Sequence, residues 1–583
     1  MSSTAIPQGA RIWPAMSLAD AHGALTAPGA PFEMEEVTID GVPVRVWKNA
    51  PPTLREVFTR ARRQHGPKTF LVYEDDRATF DGFARASLAI AHELTRIGIV
   101  KGDRVAIAMR NLPEWPAAFF GTVIGGQIAA ALNAWWTGPE LEYGLADSGA
   151  RIAIVDAERW ERIRPHLDAC PALERVYVAR ATGTLDHPRA AKLEDVIGTV
   201  ADWPSLPDRP LPEVEFGPQD DTTILYTSGT TGSPKGAVAT HRNATTCVLA
   251  ATFGASRRAL RRGDALPVPG ANTPQRATLL GVPFFHTTGC HSLLCGAVRN
   301  GTKLVLMRRF EPEAAMRLIE RERCNTAGGV PTIAWQIVEH PARARYDLSS
   351  LDALTYGGAP AAADLVRRIK EAFPKVAPGC GWGMTETSAT FTTHLGEDYE
   401  ARPESSGPAL PVCDMKIVDE RGHTLPPDAV GELVVKGPNV VRGYWNKPHA
   451  TAEVFADGWL RTGDIARIDA EGFLYVVDRR KDMLIRGGEN IYCIEVEDAL
   501  CRHPSVVDAA VVGLAHRTLG EEPAAVVTLR PGTKASEEEL RAFVASQLAA
   551  FKVPVRIVLS EEMLPRNVNG KILKAELRKL FVQ

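Results

Sequence analysis

Apolar and polar positions along the chain fall into three regimes. From Pro51 onward, stretches of helical period alternate with short apolar runs. Leu54 to Arg63 places its apolar residues at helical spacing, whereas Arg104–Ala108 and Ile152–Val155 are short apolar strands, each ending near a helix. Such alternation predicts a parallel, doubly wound α/β arrangement, broken by Pro- and Gly-rich loops at 203–218 and 265–274. After Ser406 the pattern shifts to short strands and turns, with Met415–Val418, Glu432–Lys436 and Phe473–Val477 as the clearest strands, so 412–480 reads as a β-rich subdomain. A third regime begins near Lys481. Ile494–Arg502 has helical period, Ala509–Gly513 and Ala524–Leu529 are strands, and Ser536–Ala549 is a helix whose Ser536 and Glu539 form a capping-box pattern. The expected organisation is a large domain over 1–480 followed by a small α+β domain over 482–583.

Two stretches depart from these regimes. Residues 1–50, rich in Pro, Gly and Ala, read as a loosely packed lead-in with one short hairpin around Asp40–Gly41. Ala117 to Trp136 is uncharged and long enough to span a bilayer, but it contains Thr122, Gln127 and Asn133 and lacks basic flanks. A buried helix with its exit loop is the preferred reading, and no membrane span is expected.

Composition narrows the field. The 583 residues are 45% hydrophobic, which supplies more than one core, and the net charge of -3 lacks the basic footprint of a nucleic-acid binder. Nine scattered cysteines without a Cys-x-x-Cys pair read as free thiols, and Met1–Ala10 carries no secretory pattern, so the cytoplasm is the expected compartment. A homodimer is compatible with the sequence but not indicated by it.

The densest chemical signal is Thr227-Ser228-Gly229-Thr230-Thr231-Gly232-Ser233-Pro234-Lys235-Gly236, directly after the apolar strand Thr223–Tyr226 and ahead of a helix from about Asn243. Glycines bring backbone amides close to an anion, hydroxyls add donors, and Lys235 adds charge, which together suit a polyphosphate. An ordinary polar surface loop would rarely concentrate small, hydroxylic and basic residues this way. Lys235 lies between Pro234 and Gly236, which excludes a Walker A loop.

This segment resembles the signature loop of the adenylate-forming superfamily, which comprises acyl-CoA synthetases, aryl-CoA ligases, peptide-synthetase adenylation domains and luciferases. Further motifs follow in the family's order between about Thr53 and Leu580, leaving the first fifty residues outside the resemblance. By that resemblance, Gly357, Gly358, Ala359 and Pro360 border the adenine. Gly381-Trp382-Gly383-Met384-Thr385-Glu386 would stack an aromatic on the base, hold phosphate with Thr385 and bind Mg²⁺ through Glu386. Trp382 and Cys380 replace the family's usual Tyr and Gln, so one polar contact of the tyrosine hydroxyl is lost. Asp464 would accept hydrogen bonds from the ribose, and Arg479 would be the second ribose contact. Lys481 occupies the hinge position and makes the C-terminal domain a mobile lid, and Lys571 corresponds to the catalytic lysine. His286 would border the acyl group, with Cys290 beside it, while Gly487 and Gly488 would admit the pantetheine arm of coenzyme A. The spacing of His286, Cys290, His291 and Cys295 also permits a zinc reading, which the offset of the two pairs disfavours.

The implied reaction joins a carboxylic acid to coenzyme A through acyl-AMP, with ATP and Mg²⁺ as further requirements. The Ala- and Gly-rich segment Ala117–Ala131, together with Gly289 and Cys290, suggests a roomy channel and hence a medium- or long-chain aliphatic acid. An aryl-acid ligase or an enzyme that loads a carrier protein is the alternative. A luciferase-like oxygenase would share the first half-reaction, and a nucleotide sensor without turnover is disfavoured by the presence of both Glu386 and Lys571.

Overall fold

The computed structural model describes residues 13–227, 233–266, 273–359, 363–487, 489–530, 532–566 and 571–581. Ser228, Gly229, Thr230, Thr231, Gly232, Pro360 and Gly488 lie outside the described residues.

Two large sheets form the body. One has seven strands, parallel throughout except for the antiparallel edge strand Gly236–Thr240. The other has eight, with a parallel centre and antiparallel strands at both edges. The largest core cluster takes residues from both sheets, including Leu71 and Leu304 from one and Val105 and Ile107 from the other. Helices Phe80–Arg96 and Glu114–Val123 pack together within that cluster. An antiparallel six-stranded sheet carries the β-rich segment. A five-stranded sheet drawn from residues 484–560, covered by helices Cys493–Cys501 and Glu537–Ala545, forms the small C-terminal unit. This is the α/β class expected from the alternation, with a large N-terminal and a small C-terminal part.

Two local expectations need correction, and one strand is not foreseen by the sequence pattern. The lead-in is packed rather than loose: Leu25, Phe32 and Trp47 join a core cluster with Phe253, Phe391 and Trp382. Leu25, Phe32 and Trp47 follow no common period, because they converge on residues far along the chain such as Phe253. Phe32 and Trp47 surround Phe253 at centroid distances of 5.2 and 5.5 Å. The hairpin turn at Asp40–Gly41 forms as expected, with φ of 48° and 79°, the left-handed pair that Asp-Gly favours. The stretch Ala117–Trp136 holds a helix ending at Val123 and then a strand, Ile128–Ala131, at the centre of the seven-stranded sheet. A run of alanines buried on every side has no period from which to tell strand from helix. Among the described residues no helix is long and apolar enough to cross a membrane. The strand not foreseen is Gly236–Thr240, which separates the phosphate-loop motif from the helix expected from about Asn243. Tyr226 pairs with Gly236, so the motif connects two antiparallel strands, and the helix His241–Val248 starts only after the second.

Candidate active site

The strands of both large sheets end at one cleft. Gly357 and Gly381 are register partners at the ends of adjacent strands Ala353–Gly357 and Ala377–Gly381. Gly329 ends the next strand, Gly281 and Met307 follow two more, and Arg110 and Asn111 follow Arg104–Ala108 of the other sheet. All of these but Gly381 line a cavity of about 240 Å³ together with His286, Phe285, Val330, Ile333 and Gly358. Carboxyl ends of parallel strands are the usual ligand position in such sheets. Asn111 ties the two sheets together there: its amide donates to the Val282 carbonyl at 3.0 Å and its oxygen accepts from the Phe284 N–H at 2.9 Å.

Glycine is required at two places on the nucleotide side. Gly358 has φ of +75°, a conformation that disfavours side chains, and a Cβ on Gly383 would lie 1.5 Å from the Ala389 carbonyl oxygen. The tight loop that Gly383 permits returns the chain from Trp382 to Phe391 and Thr392, whose backbone N–H groups both donate to the Trp382 carbonyl. Within it, Met384, Thr385 and Glu386 begin a single 3₁₀ turn, Thr385–Thr387. Gly358 is exposed, and Ala359 beyond it is half-buried.

Around this loop the charged residues converge. Asp464 and Arg479 are cross-strand partners, with Arg479 Nε 3.4 Å from Asp464 Oδ1. The other carboxylate oxygen, Oδ2, accepts the indole N–H of Trp382 at 2.8 Å. Glu386 is buried, and its Oε1 accepts the hydroxyl of Tyr444 at 2.7 Å. The Tyr444 ring in turn lies 5.1 Å from the Lys235 ammonium, so one side chain touches both the phosphate-loop lysine and the acidic residue. Tyr444 and Asn111 are site residues that the motifs do not reveal. Thr227 and Lys235 stand at the two ends of the phosphate loop, joined by the Thr227 N–H donating to the Lys235 carbonyl at 2.9 Å.

Lys571 reaches this cluster from the C-terminal unit. Burial lowers its pKa to about 8, with Arg479 and Lys481 lowering it further and Asp464 and Glu386 opposing. His286 is lowered to about 4, first by burial and then by the Lys571 charge, so its imidazole is neutral near pH 7. Lys571, Asp464, Arg479, Glu386 and His286 therefore share one electrostatic neighbourhood. Gly487 does not join it: it is exposed at the hairpin between Leu484–Arg486 and Glu489–Ile491, with φ of +60°. Cys290 is fully buried and outside the cavity lining, as is the whole segment Ala117–Ala131, so neither widens a channel. Their small side chains serve close packing of the core instead. His291 shares a hydrogen bond with the Thr223 hydroxyl at 3.1 Å, on a π-helical segment Thr288–Leu294 where the α-helical spacing used for the zinc reading does not apply.

Comparison with known proteins agrees with this geometry. The family model of AMP-binding enzymes matches residues 58–445, and that of the AMP-binding enzyme C-terminal domain matches 495–571. A feruloyl-CoA synthase from Amycolatopsis sp is 35% identical over 507 residues, 86% of this chain and 94% of its own length. A long-chain-fatty-acid–CoA ligase from Bacillus subtilis (strain 168) is 32% identical over 550 residues, 90% of this chain and 94% of its own. The crystal structure of the anthranilate CoA ligase AuaEII in complex with anthranoyl-AMP superposes with a TM-score of 0.79 at 27% identity, covering 91% of this chain and 97% of that one. The chain belongs to the AMP-binding enzyme family. Within that family it is an AMP-forming acid–CoA ligase.

Proposed function

We propose that the acid is compact, either a medium-length aliphatic chain or an aryl acid, and that the two half-reactions are served by two orientations of the C-terminal unit. The cavity beside His286 and Gly357, at about 240 Å³, is smaller than typical pockets for drug-sized ligands. Its walls are apolar at Val282, Phe285, Met307, Val330 and Ile333. A feruloyl-CoA synthase and a long-chain-fatty-acid–CoA ligase both stand among the relatives, so likeness alone does not choose between acyl types.

In the first half-reaction a carboxylate oxygen attacks the α-phosphorus of ATP, and pyrophosphate leaves. Both reactants are anions, and the charge must be met by the protein. The observation that carries this reading is the approach of Lys571 to Asp464, Arg479 and Glu386 beside the cavity. Lys571 bridges the acid and the α-phosphate; Thr227, Lys235 and Thr385 hold phosphate oxygens; Asp464 and Arg479 hold the ribose. Glycines 357 and 358 let adenine lie against backbone. Glu386 suits Mg²⁺: it offers a buried, hard oxygen donor already oriented by Tyr444, and magnesium at phosphate sites commonly takes one or two carboxylates with the phosphates and waters. Such an ion would neutralise charge on the departing pyrophosphate.

In the second half-reaction the thiol of coenzyme A attacks the acyl carbon, and AMP leaves. Lys571 stands in the site while Gly487 faces solvent. A turn of the unit about Lys481 would withdraw the lysine and bring the Gly487–Gly488 loop to the thiol's path. Acid-dependent exchange of labelled pyrophosphate into ATP, measured without coenzyme A across acids of graded length and with substituted benzoates and cinnamates, tests the reading. Absence of exchange for every acid that still yields thioester would refute the adenylate route. Strongest turnover with acids of sixteen or more carbons would refute the compact pocket.

A further inference from the structure

Asp464 sits among more cations than a ribose acceptor needs. Arg479 is 3.4 Å from one oxygen, and the charges of Lys571 and Lys481 act on the same neighbourhood. A carboxylate on a freely rotating side chain would turn toward whichever cation approached, and its lone pairs would then be aimed at ammonium rather than at a diol. One contact prevents this. The indole N–H of Trp382 donates to Asp464 Oδ2 at 2.8 Å, and both residues are buried. The Asp464 backbone is fixed too, its N–H donating to the Thr462 hydroxyl at 3.1 Å.

Trp382 is itself immobilised. Its backbone N–H donates to the Thr392 hydroxyl at 2.8 Å, and its ring meets Phe391 edge-on at 5.6 Å. By contrast, the buried indole N–H groups of Trp47, Trp115, Trp203 and Trp445 have no protein acceptor. Burial alone therefore does not bring an indole N–H to a carboxylate in this protein.

The geometry points to Trp382 as a positioning residue for nucleotide selection: its N–H holds the Asp464 carboxylate in the rotamer that reads the ribose hydroxyls, and shields it from capture by Lys571. The inference rests on the reading of Asp464 as the ribose acceptor. It is separate from stacking of the ring on adenine. Stacking acts alike on every adenine nucleotide, whereas aim at the ribose distinguishes ATP from its deoxy analogues.

The test is acid-dependent pyrophosphate exchange with ATP, 2′-deoxyATP and 3′-deoxyATP, expressed as the ratio of kcat/KM values within one preparation, so that the folded fraction cancels. Trp382→Phe keeps an aromatic face and removes the donor. Its preference for ATP over at least one deoxy analogue should fall about tenfold or more, the equivalent of one hydrogen bond to a charged group, while the KM for the acid stays near wild type. Asp464→Ala should erase the preference, and adding Trp382→Phe to it should change the ratio no further. If Asp464→Ala keeps the wild-type preference, the ribose reading itself fails. If Asp464→Ala erases it while Trp382→Phe slows ATP and both analogues in equal proportion, the ribose reading stands and the positioning role is overturned.

Discussion

The lowered pKa of Lys571 should make adenylation sensitive to alkaline pH in a way that thioester formation is not, if the lysine bridges the two anions as proposed. A lysine that normally loses its proton near 10.5 is brought to about 8 by burial, with Arg479 and Lys481 adding to the effect. The sign follows directly. Below about 8 the ammonium is charged and can bridge two anions, and above it the neutral amine cannot. At pH 7 about nine-tenths of the free enzyme carries the charge, and at pH 9 only about a tenth, so kcat/KM for ATP in the exchange reaction should fall about tenfold per pH unit beyond 8. Bound ATP adds negative charge and holds the proton, so the same limb should lie at higher pH in kcat than in kcat/KM. Lys571→Ala should lower exchange about a hundred- to a thousandfold, as expected for loss of one group that stabilises developing charge, and should abolish the limb. Lys571→Arg should push the limb out of range, whatever its effect on rate. Attack of coenzyme A on supplied acyl-AMP should keep most of its rate in all variants and should rise with pH as the thiol ionises. Single-turnover measurement of each half-reaction decides the matter. An alkaline limb that persists unchanged in Lys571→Arg, or equal slowing of both half-reactions in Lys571→Ala, would refute the reasoning.

Three more outcomes are expected. Gly383→Ala places a Cβ 1.5 Å from the Ala389 carbonyl oxygen, so the loop must move; weaker ATP binding and a lower midpoint of thermal unfolding should appear together, checked by calorimetry. Tyr444→Phe keeps the ring beside Lys235 and removes the hydroxyl from Glu386, so the Mg²⁺ concentration for half-maximal exchange should rise about tenfold, while Tyr444→Leu should also raise the KM for ATP at saturating metal. Trp47→Ala empties part of the lead-in cluster and should cost about 3–5 kcal/mol in denaturant titration, with the order of preference among acids unchanged.

What could be read from the chain alone depended on whether the chemistry was local. Thr227–Gly236 and Trp382–Glu386 are legible because residues adjacent in sequence act on one ligand group, and the alternation of helix and strand gave the fold class. The pairing of Trp382 with Asp464 crosses 82 positions, and the Tyr444 bridge to Glu386 crosses 58, so neither leaves a local signature. Tyr444 sits in Arg-Gly-Tyr-Trp, which reads as an ordinary turn beside a strand. Strands Ile128–Ala131 and Gly236–Thr240 are made of small residues buried all round, so period carries no information there. The packing of the lead-in is hidden for a related cause: Phe32 and Trp47 meet each other and Phe253, which lies about two hundred positions away, so no local period marks them.

That lead-in has a bearing on how this protein can diverge from its relatives. The family match starts at residue 58, yet the packed interior starts at Leu18. Phe32 and Trp47, both ahead of that match, thus share one packed cluster with Trp382 and Phe391. A substitution at Phe32 or Trp47 should therefore disturb the packing beneath Trp382 while every signature motif stays intact.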